Sequence, residues 1–344
     1  MKSPPNSICI LRLSAIGDIT HMVPVVHTLQ KFWPKTKLTW IIGKNEAKLV
    51  EDIQNINFII FDKSNTFTSY RSIAKLMKDQ MFDVLICAQV SLRANIISML
   101  VPAKLKLGYD KLRSKDMHDA FIHESIPNTP EQHVLDSFFS FIEYLGLKER
   151  ELKWNYKLTS EALEFASKYI DTERKNVIIS PCSSHPKRNW RSERYALVAD
   201  YAINKLGANV LLCGGPSKAE LKMGADIENA MQNKAINLIG KDTLKKFLAL
   251  LHQADAIITP DSGPAHMATG CGTNALGLYA ASNPKRSGPY LSIENCINKY
   301  NEAAKKFRNK PASNLKWGTK LEYENVMDLI SVNDVTNQLK KILS

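Results

Sequence analysis

No run of apolar residues approaches the roughly 20 that a helix needs to cross a bilayer, so an integral membrane protein is not expected. The N-terminal apolar run Ile8-Cys9-Ile10-Leu11 is short and is followed by Arg12 and Asp18. It lacks the small-residue cleavage site of a secretory leader. Six cysteines, at 9, 87, 182, 213, 271 and 296, form no C-x-x-C pair, which argues against a zinc ribbon and a thioredoxin-type site. Cys9, Cys87 and Cys213 lie inside apolar runs, where cysteine acts as a small core residue; buried, reduced thiols in a cytoplasmic protein are expected. A single glycine follows the first strand-like run, too few for a G-x-G-x-x-G fingerprint, so a nicotinamide enzyme is disfavoured. Aromatics are 8% of the chain and do not interleave with basic residues, so nothing beyond charge points to nucleic acid.

What is present is the composition of a folded protein, with 44% hydrophobic and 23% charged residues. At about 150 residues per domain, a chain of 344 residues holds two. The net charge of +12 calls for an anionic partner, either a phosphorylated small molecule or an anionic membrane surface.

Short, continuously apolar runs alternate with helical patterns. Ile8–Leu13, Leu38–Ile42, Phe58–Phe61 and Val84–Cys87 read as strands in the first half. Val177–Ser180, Val210–Cys213, Ile236–Ile239, Ala256–Thr259 and Ala275–Tyr279 do so in the second. Such runs suit parallel strands covered on both faces. Helices are predicted over Val23–Trp33, Ser72–Gln80, Ser192–Leu206, Lys218–Gln232 and Leu244–Gln253, and a charged helical stretch covers Ser160–Arg174. The rhythm is that of a doubly wound α/β fold, and it begins twice. No Pro/Gly-rich linker marks the boundary, which falls around 160–176. The predicted units are residues 1–165 and 175–322, with an amphipathic helical segment at 323–344.

Four segments can carry chemistry. Ser14-Ala15-Ile16-Gly17-Asp18 follows the first strand and places Asp18 near the start of the next helix. There it acts either as a cap or as a catalytic carboxylate. Ser183, Ser184, Lys187 and Arg188 follow the first strand of the second half, where two hydroxyls and two cations can hold a phosphate or form a solvated loop. Cys213-Gly214-Gly215-Pro216 leads into Glu220, which either accepts from a sugar hydroxyl or favours the dipole of the helix it opens. Asp261-Ser262-Gly263-Pro264-Ala265-His266 joins a strand to a helix whose N-terminus favours an anion, with His266 on its first turn.

In this order and spacing the four segments resemble the ADP-heptose:lipopolysaccharide heptosyltransferases, glycosyltransferase family 9. In that family S-x-x-G-D follows the first strand, a Ser/Thr-rich loop ends in a basic residue and Trp, and G-G-P with a later Glu precedes D-[ST]-G-x-x-H-x-A. Asp261 to Ala268 fits this last pattern at every fixed position, and the resemblance runs from about Ile8 to Tyr290. Gly108–His118 and His133–Asp136 are similar to the branch that adds the first heptose to Kdo.

The resemblance implies a GT-B fold, two Rossmann-like domains facing across a cleft. It implies an inverting transfer from ADP-heptose to Kdo-lipid A, with no cofactor and no metal. Asp18 would be the general base. Ser183, Ser184, Lys187 or Arg188, and the helix start at Ser262 and Gly263, would meet the diphosphate. Asp261 and His266 would hold the heptose or the diphosphate, and Glu220 the ribose. Asp242 stands where some members place an apolar residue against adenine. The cations Lys104, Lys106, Lys111, Arg113 and Lys115 offer the anionic acceptor a partner, with Lys111, Arg113 and Lys115 as the acceptor-binding candidates. Lys299–Lys320 carries seven Lys/Arg against Glu302 and reads as a loop-rich surface that can touch the anionic inner leaflet. The competing readings are a transferase using another nucleotide sugar and a non-catalytic nucleotide-sugar-binding protein of envelope assembly.

Overall fold

The computed structural model describes residues 3–344, which divide into two compact units at Lys157–Leu158. The first unit runs β1 (Ser7–Leu11), α1 (Ile16–Phe32), β2 (Lys37–Gly43), α2 (Lys44–Val50), β3 (Ile56–Phe61), α3 (Thr66–Met77), β4 (Phe82–Cys87), α4 (Leu92–Leu100), β5 (Ala103–Gly108), β6 (Glu124–Ser125) and α5 (Val134–Tyr144). The second runs α6 (Ser160–Ser167), β7 (Asn176–Ile179), α7 (Ser192–Leu206), β8 (Asn209–Leu212), α8 (Lys218–Ala230), β9 (Ile236–Asn237), α9 (Leu244–Gln253), β10 (Ala256–Pro260), α10 (Gly263–Cys271), β11 (Asn274–Tyr279), α11 (Pro284–Ser287), β12 (Ile297–Asn298), α12 (Tyr300–Arg308) and α13 (Val332–Leu343). Every strand pair is parallel.

The sheet orders are β3-β2-β1-β4-β5-β6 and β12-β11-β10-β7-β8-β9, so the same winding occurs twice. In each, the chain builds outward on one side and then crosses back past its first strand. The crossover leaves a switch point between β1 and β4 in one unit and between β7 and β10 in the other. Ligands of open parallel sheets bind in the crevice outside the strands' carboxyl ends there. The central strands are covered on both faces: Ile8, Cys9, Ile10 and Leu11 are all buried, as are Val177, Ile178 and Ile179. All six cysteines are free thiols, and Cys9, Cys87 and Cys213 lie in the core. No helix among the described residues is long and apolar enough to cross a membrane.

Several elements differ from expectation, three of them for a clear physical reason. Helix α1 begins at Ile16 rather than Val23 and runs through Pro24. Proline lacks the N–H that would bond the carbonyl four residues earlier. The freed Thr20 carbonyl accepts from the buried Trp154 indole instead, at 2.9 Å, so tertiary packing repairs the break. Strand β5 went unread because Ala103-Lys104-Leu105-Lys106-Leu107 alternates cations with apolar residues and looks like a basic cluster. The segment read as loop-rich surface contains helix α12, anchored by buried Tyr300, Ala303 and Ala304.

The C-terminal segment is a 3₁₀ turn (Val326–Leu329) followed by α13, whose Ser331 caps the helix by accepting from the Asp334 N–H. Val335 and Leu339 of α13 are fully buried in the core of the second unit. Leu339→Ala is expected to lower that unit's stability by about 2–5 kcal/mol, read from the urea midpoint. A change within about 0.5 kcal/mol would show α13 to be a surface appendage.

Candidate active site

At the switch point of the first unit, the loop after β1 is held by the loop after β4. Gln89 Oε1 accepts from the Leu13 N–H at 2.7 Å and from the Ser14 N–H at 3.3 Å. Arg12 donates through Nη1 to the Ala88 carbonyl at 2.5 Å, and its guanidinium lies 5.3 Å from the centre of the Phe138 ring. Its Nη2 pairs with Asp18 Oδ2.

Asp18 occupies the third position of α1, where Oδ2 also accepts from the Ala15 N–H at 3.1 Å. Both contacts use the same oxygen. Oδ1 has no protein partner among the described residues, and the side chain is 29% exposed. The carboxylate therefore caps its helix with one oxygen and keeps the other free for a proton.

The acceptor candidates separate. Lys104 pairs with Asp83, which also accepts from the Asn6 and Ser7 N–H groups, and so belongs to the amino edge of the sheet, away from Asp18. Lys106 donates to the Ser98 carbonyl at 2.6 Å, and burial lowers its pKa. Arg113 is fully engaged: it pairs with Asp110, donates to Gln132 Oε1 and the Pro127 carbonyl, and lies over the Tyr109 ring. Lys111 and Lys115 are exposed.

In the second unit the loops after β7 and β10 meet at the switch point. Ser183 turns its hydroxyl inward, donating to the His185 carbonyl at 2.8 Å, while Ser184 is exposed. Lys187 reaches out to the exposed Glu324 at 3.0 Å. Arg188 turns in: it donates to Glu322 from Nε at 2.7 Å and from Nη2 at 2.5 Å, and its Nη1 is 3.8 Å from Asp261. Asp261 is buried and pairs with Lys320 at 2.7 Å. Burial alone would raise its pKa, but Lys320, a Ser282 hydrogen bond and His266 together hold it below the usual carboxylate range. Burial lowers the pKa of Lys320 against the pull of Asp261.

Ser262 is the N-cap residue of α10, yet its hydroxyl is 2.9 Å from that of Thr259, so the helix starts at Gly263 without a side-chain cap. That leaves the positive end of the dipole open to an anion. His266 is buried on the first turn. Glu220 bridges its own loop, accepting from the Gly215 N–H at 2.8 Å and the Ser217 hydroxyl at 2.6 Å at the start of α8. This is the helix-opening role; each oxygen keeps a lone pair for a sugar hydroxyl.

Sequence reading missed Arg12, Gln89, Lys320 and Glu322. Arg12 carried a faint signal, a cation at the end of an apolar strand. Lys320 carried none: it lies 59 residues from Asp261 and was counted in a surface cation run.

Asp242 lies beside this loop, because the Gly240 N–H bonds the Gly214 carbonyl at 2.9 Å. Burial, helped by the charge of Glu220 and opposed by a backbone hydrogen bond, pushes its pKa up from 3.8 to about 7. Between those values the folded state holds a proton that the unfolded chain has lost. Stability from this group is present at low pH and is lost as pH rises through about 7. Asp242→Asn is therefore expected to match the wild-type Tm at low pH and exceed it above neutrality. Equal pH profiles for the two proteins would show that this carboxyl is solvated.

The family model of glycosyltransferase family 9 (heptosyltransferase) matches residues 70–317. The chain is 41% identical to the lipopolysaccharide core heptosyltransferase OpsX of Haemophilus influenzae over 338 residues, 98% of this chain and 97% of that one. Among solved structures, a glycosyl transferase family 9 protein from Veillonella parvula superposes with a TM-score of 0.79 at 23% identity, covering 98% of this chain and 97% of its own. Escherichia coli heptosyltransferase WaaC with ADP gives 0.72 at 14% identity, covering 98% and 99%. These likenesses extend the two-domain α/β architecture, the GT-B fold, over the whole chain. With the D-[ST]-G-x-x-H segment in place at the β10–α10 junction, the chain belongs to glycosyltransferase family 9, the heptosyltransferases.

Proposed function

We propose that the protein transfers heptose from ADP-heptose to a Kdo residue of the lipopolysaccharide inner core, with inversion at the anomeric carbon and Asp18 as general base. The observation that carries this reading is the divided use of the Asp18 carboxylate. Oδ2 is held by Arg12 and the Ala15 N–H, and Oδ1 is left open at the switch point of the first sheet. A base needs a fixed orientation and a free lone pair, and both are present. In the step, Asp18 takes the proton of the acceptor hydroxyl while that oxygen attacks C1 of the heptose. The bond from C1 to the diphosphate oxygen breaks, and ADP departs with the electron pair.

The negative charge that develops on the leaving diphosphate needs fixed donors and cations. Arg188, the uncapped start of α10 and the exposed Ser184 hydroxyl supply them, whereas the Ser183 hydroxyl is spent on the His185 carbonyl. Lys320 adds a cation that Asp261 holds in place. Support for the donor comes from the relative WaaC, solved with ADP, and support for the acceptor class from the lipopolysaccharide core relative OpsX. One observation favours a different nucleotide: Asp242 presents a half-buried carboxyl where an apolar adenine contact was expected, and competition between nucleotide sugars separates the two readings.

Asp18→Asn is expected to cut acceptor-dependent ADP release by about 10²–10⁴-fold while the chain stays folded, with a modest fall in Tm from the lost Arg12 ion pair. Undiminished release would leave Asp18 a helix cap. For donor binding, Arg188→Ala is expected to weaken ADP by about 10–100-fold in calorimetric titration, the worth of a charge-assisted bond. Lys187→Ala should stay within about threefold, as for a rim charge. The reverse order would assign the diphosphate to Lys187.

A further inference from the structure

The segment from Thr319 to Tyr323, after α12, contains no helix or turn and is tied to the loop after β11, because the Leu321 N–H donates to the Ala281 carbonyl at 2.8 Å. Its residues divide between core and site. Leu321 is fully buried in the core of the second unit, while Lys320 and Glu322 on either side of it reach Asp261 and Arg188. Gly318, just before this segment, has φ +85° and bears no side chain for a reason of space. A Cβ there would stand 2.8 Å from Arg286 Nε, 3.2 Å from its Cδ and 3.3 Å from its Cζ. Arg286 is therefore seated against the bare backbone at 318.

Arg286 belongs to the short α11, in the loop after β11. Ser282 of the same loop hydrogen-bonds Asp261, so the loop faces the second switch point. The turn is fixed at both ends: Asn283 Oδ1 accepts from the Lys285 N–H at 3.0 Å, and the Tyr279 hydroxyl donates to the Ser287 carbonyl at 3.1 Å. Burial, and after it the charges of Arg188 and Arg286, lower the Lys320 pKa against the pull of Asp261. Three cations thus share one neighbourhood. Lys320 is paired with Asp261 and Arg188 with Glu322. Arg286 is half-buried and pairs with no carboxylate among the described residues. Three cations against two carboxylates leave one positive charge in surplus, and a charge partly withdrawn from water without a counterion is costly. An anion brought by a ligand removes that cost.

We propose that Arg286, seated on Gly318, is a further cation of the donor site and takes an oxygen of the leaving diphosphate. The inference rests on the nucleotide-diphosphate donor of the proposed reaction and holds whether or not Asp18 is the base. As the bond from C1 breaks, its electron pair stays on the diphosphate oxygen, so negative charge there grows toward the transition state. A fixed surplus cation stabilises that state more than the bound donor.

The test is calorimetric titration of the full chain with ADP and with inorganic pyrophosphate, alongside acceptor-dependent ADP release. Arg286→Ala is expected to weaken both ligands by about 10–100-fold, the worth of a charge-assisted bond. It should also lower kcat by about 10²-fold, as for a lost transition-state donor. Arg286→Lys should restore part of the binding, since the point charge returns without the planar fork. Lys285→Ala, the exposed neighbour, should stay within about threefold for both ligands. Because Arg286 has no counterion in the free protein, Arg286→Ala should not lower the ligand-free Tm. Unchanged ADP and pyrophosphate affinity in Arg286→Ala overturns the inference and leaves the donor reading standing. So does unchanged affinity with a raised acceptor KM, which would give this arginine to an anion of the acceptor. A joint fall in Tm and affinity that Arg286→Lys fails to restore would reduce Arg286 to a structural part of its loop. Wild type that binds neither ADP nor pyrophosphate overturns both the inference and the donor reading.

Discussion

Burial of the strands on both faces governs where chemistry can occur in this protein. Ile8 to Leu11 and Val177 to Ile179 meet no water on either side, and their backbone groups are consumed by parallel pairing. Polar side chains and unsatisfied backbone donors can gather only where strands end. Because each sheet reverses its winding direction once, two adjacent strands at that point send their following helices to opposite faces, and a crevice opens between them. Asp18, Arg12 and Gln89 lie at one such point, and Asp261, Arg188 and His266 at the other.

The two points are stabilised differently. In the first unit a strand-end arginine, stacked on Phe138 and bonded to the Ala88 carbonyl, fixes one oxygen of the neighbouring carboxylate. The network is short and built from segments that are neighbours in the sheet. In the second unit Asp261 is buried, and an unpaired buried carboxylate would be costly. Lys320 and Arg188 compensate it, and Glu322 compensates Arg188 in turn, so residues from 188 to 322 form one charge cluster. Removing a member exposes its partners to an uncompensated charge, which couples the cluster's integrity to the ligand it would hold.

The elements legible in advance were those whose local pattern and tertiary role agree. Strand β1, with four buried apolar residues in succession, was read to within two residues, and α7 and α9 were read at their exact ends. Strand β5 and helix α12 were not, because each carries cations on its exposed positions and only the buried positions reveal the element. Helix α1 was started late because Pro24 reads as a break, and only the Trp154 indole, 130 residues away by sequence, makes the break affordable.

The type and order of the layers, and the loops that bear Asp18, Arg188 and Asp261, follow from local periodicity: strand and helix periods and the residues at their junctions are properties of short windows. Which cation turns inward is not such a property. Lys187 and Arg188 are adjacent and alike in charge, and what separates them is that Glu322 and Asp261 come to lie on one side and Glu324 on the other. The same holds for Lys320 against its neighbours in a basic run and for the free oxygen of Asp18. Coulomb interactions and hydrogen bonds act through space over a few ångströms, so partners distant in the chain become defined once the strands are paired and their ends are brought together.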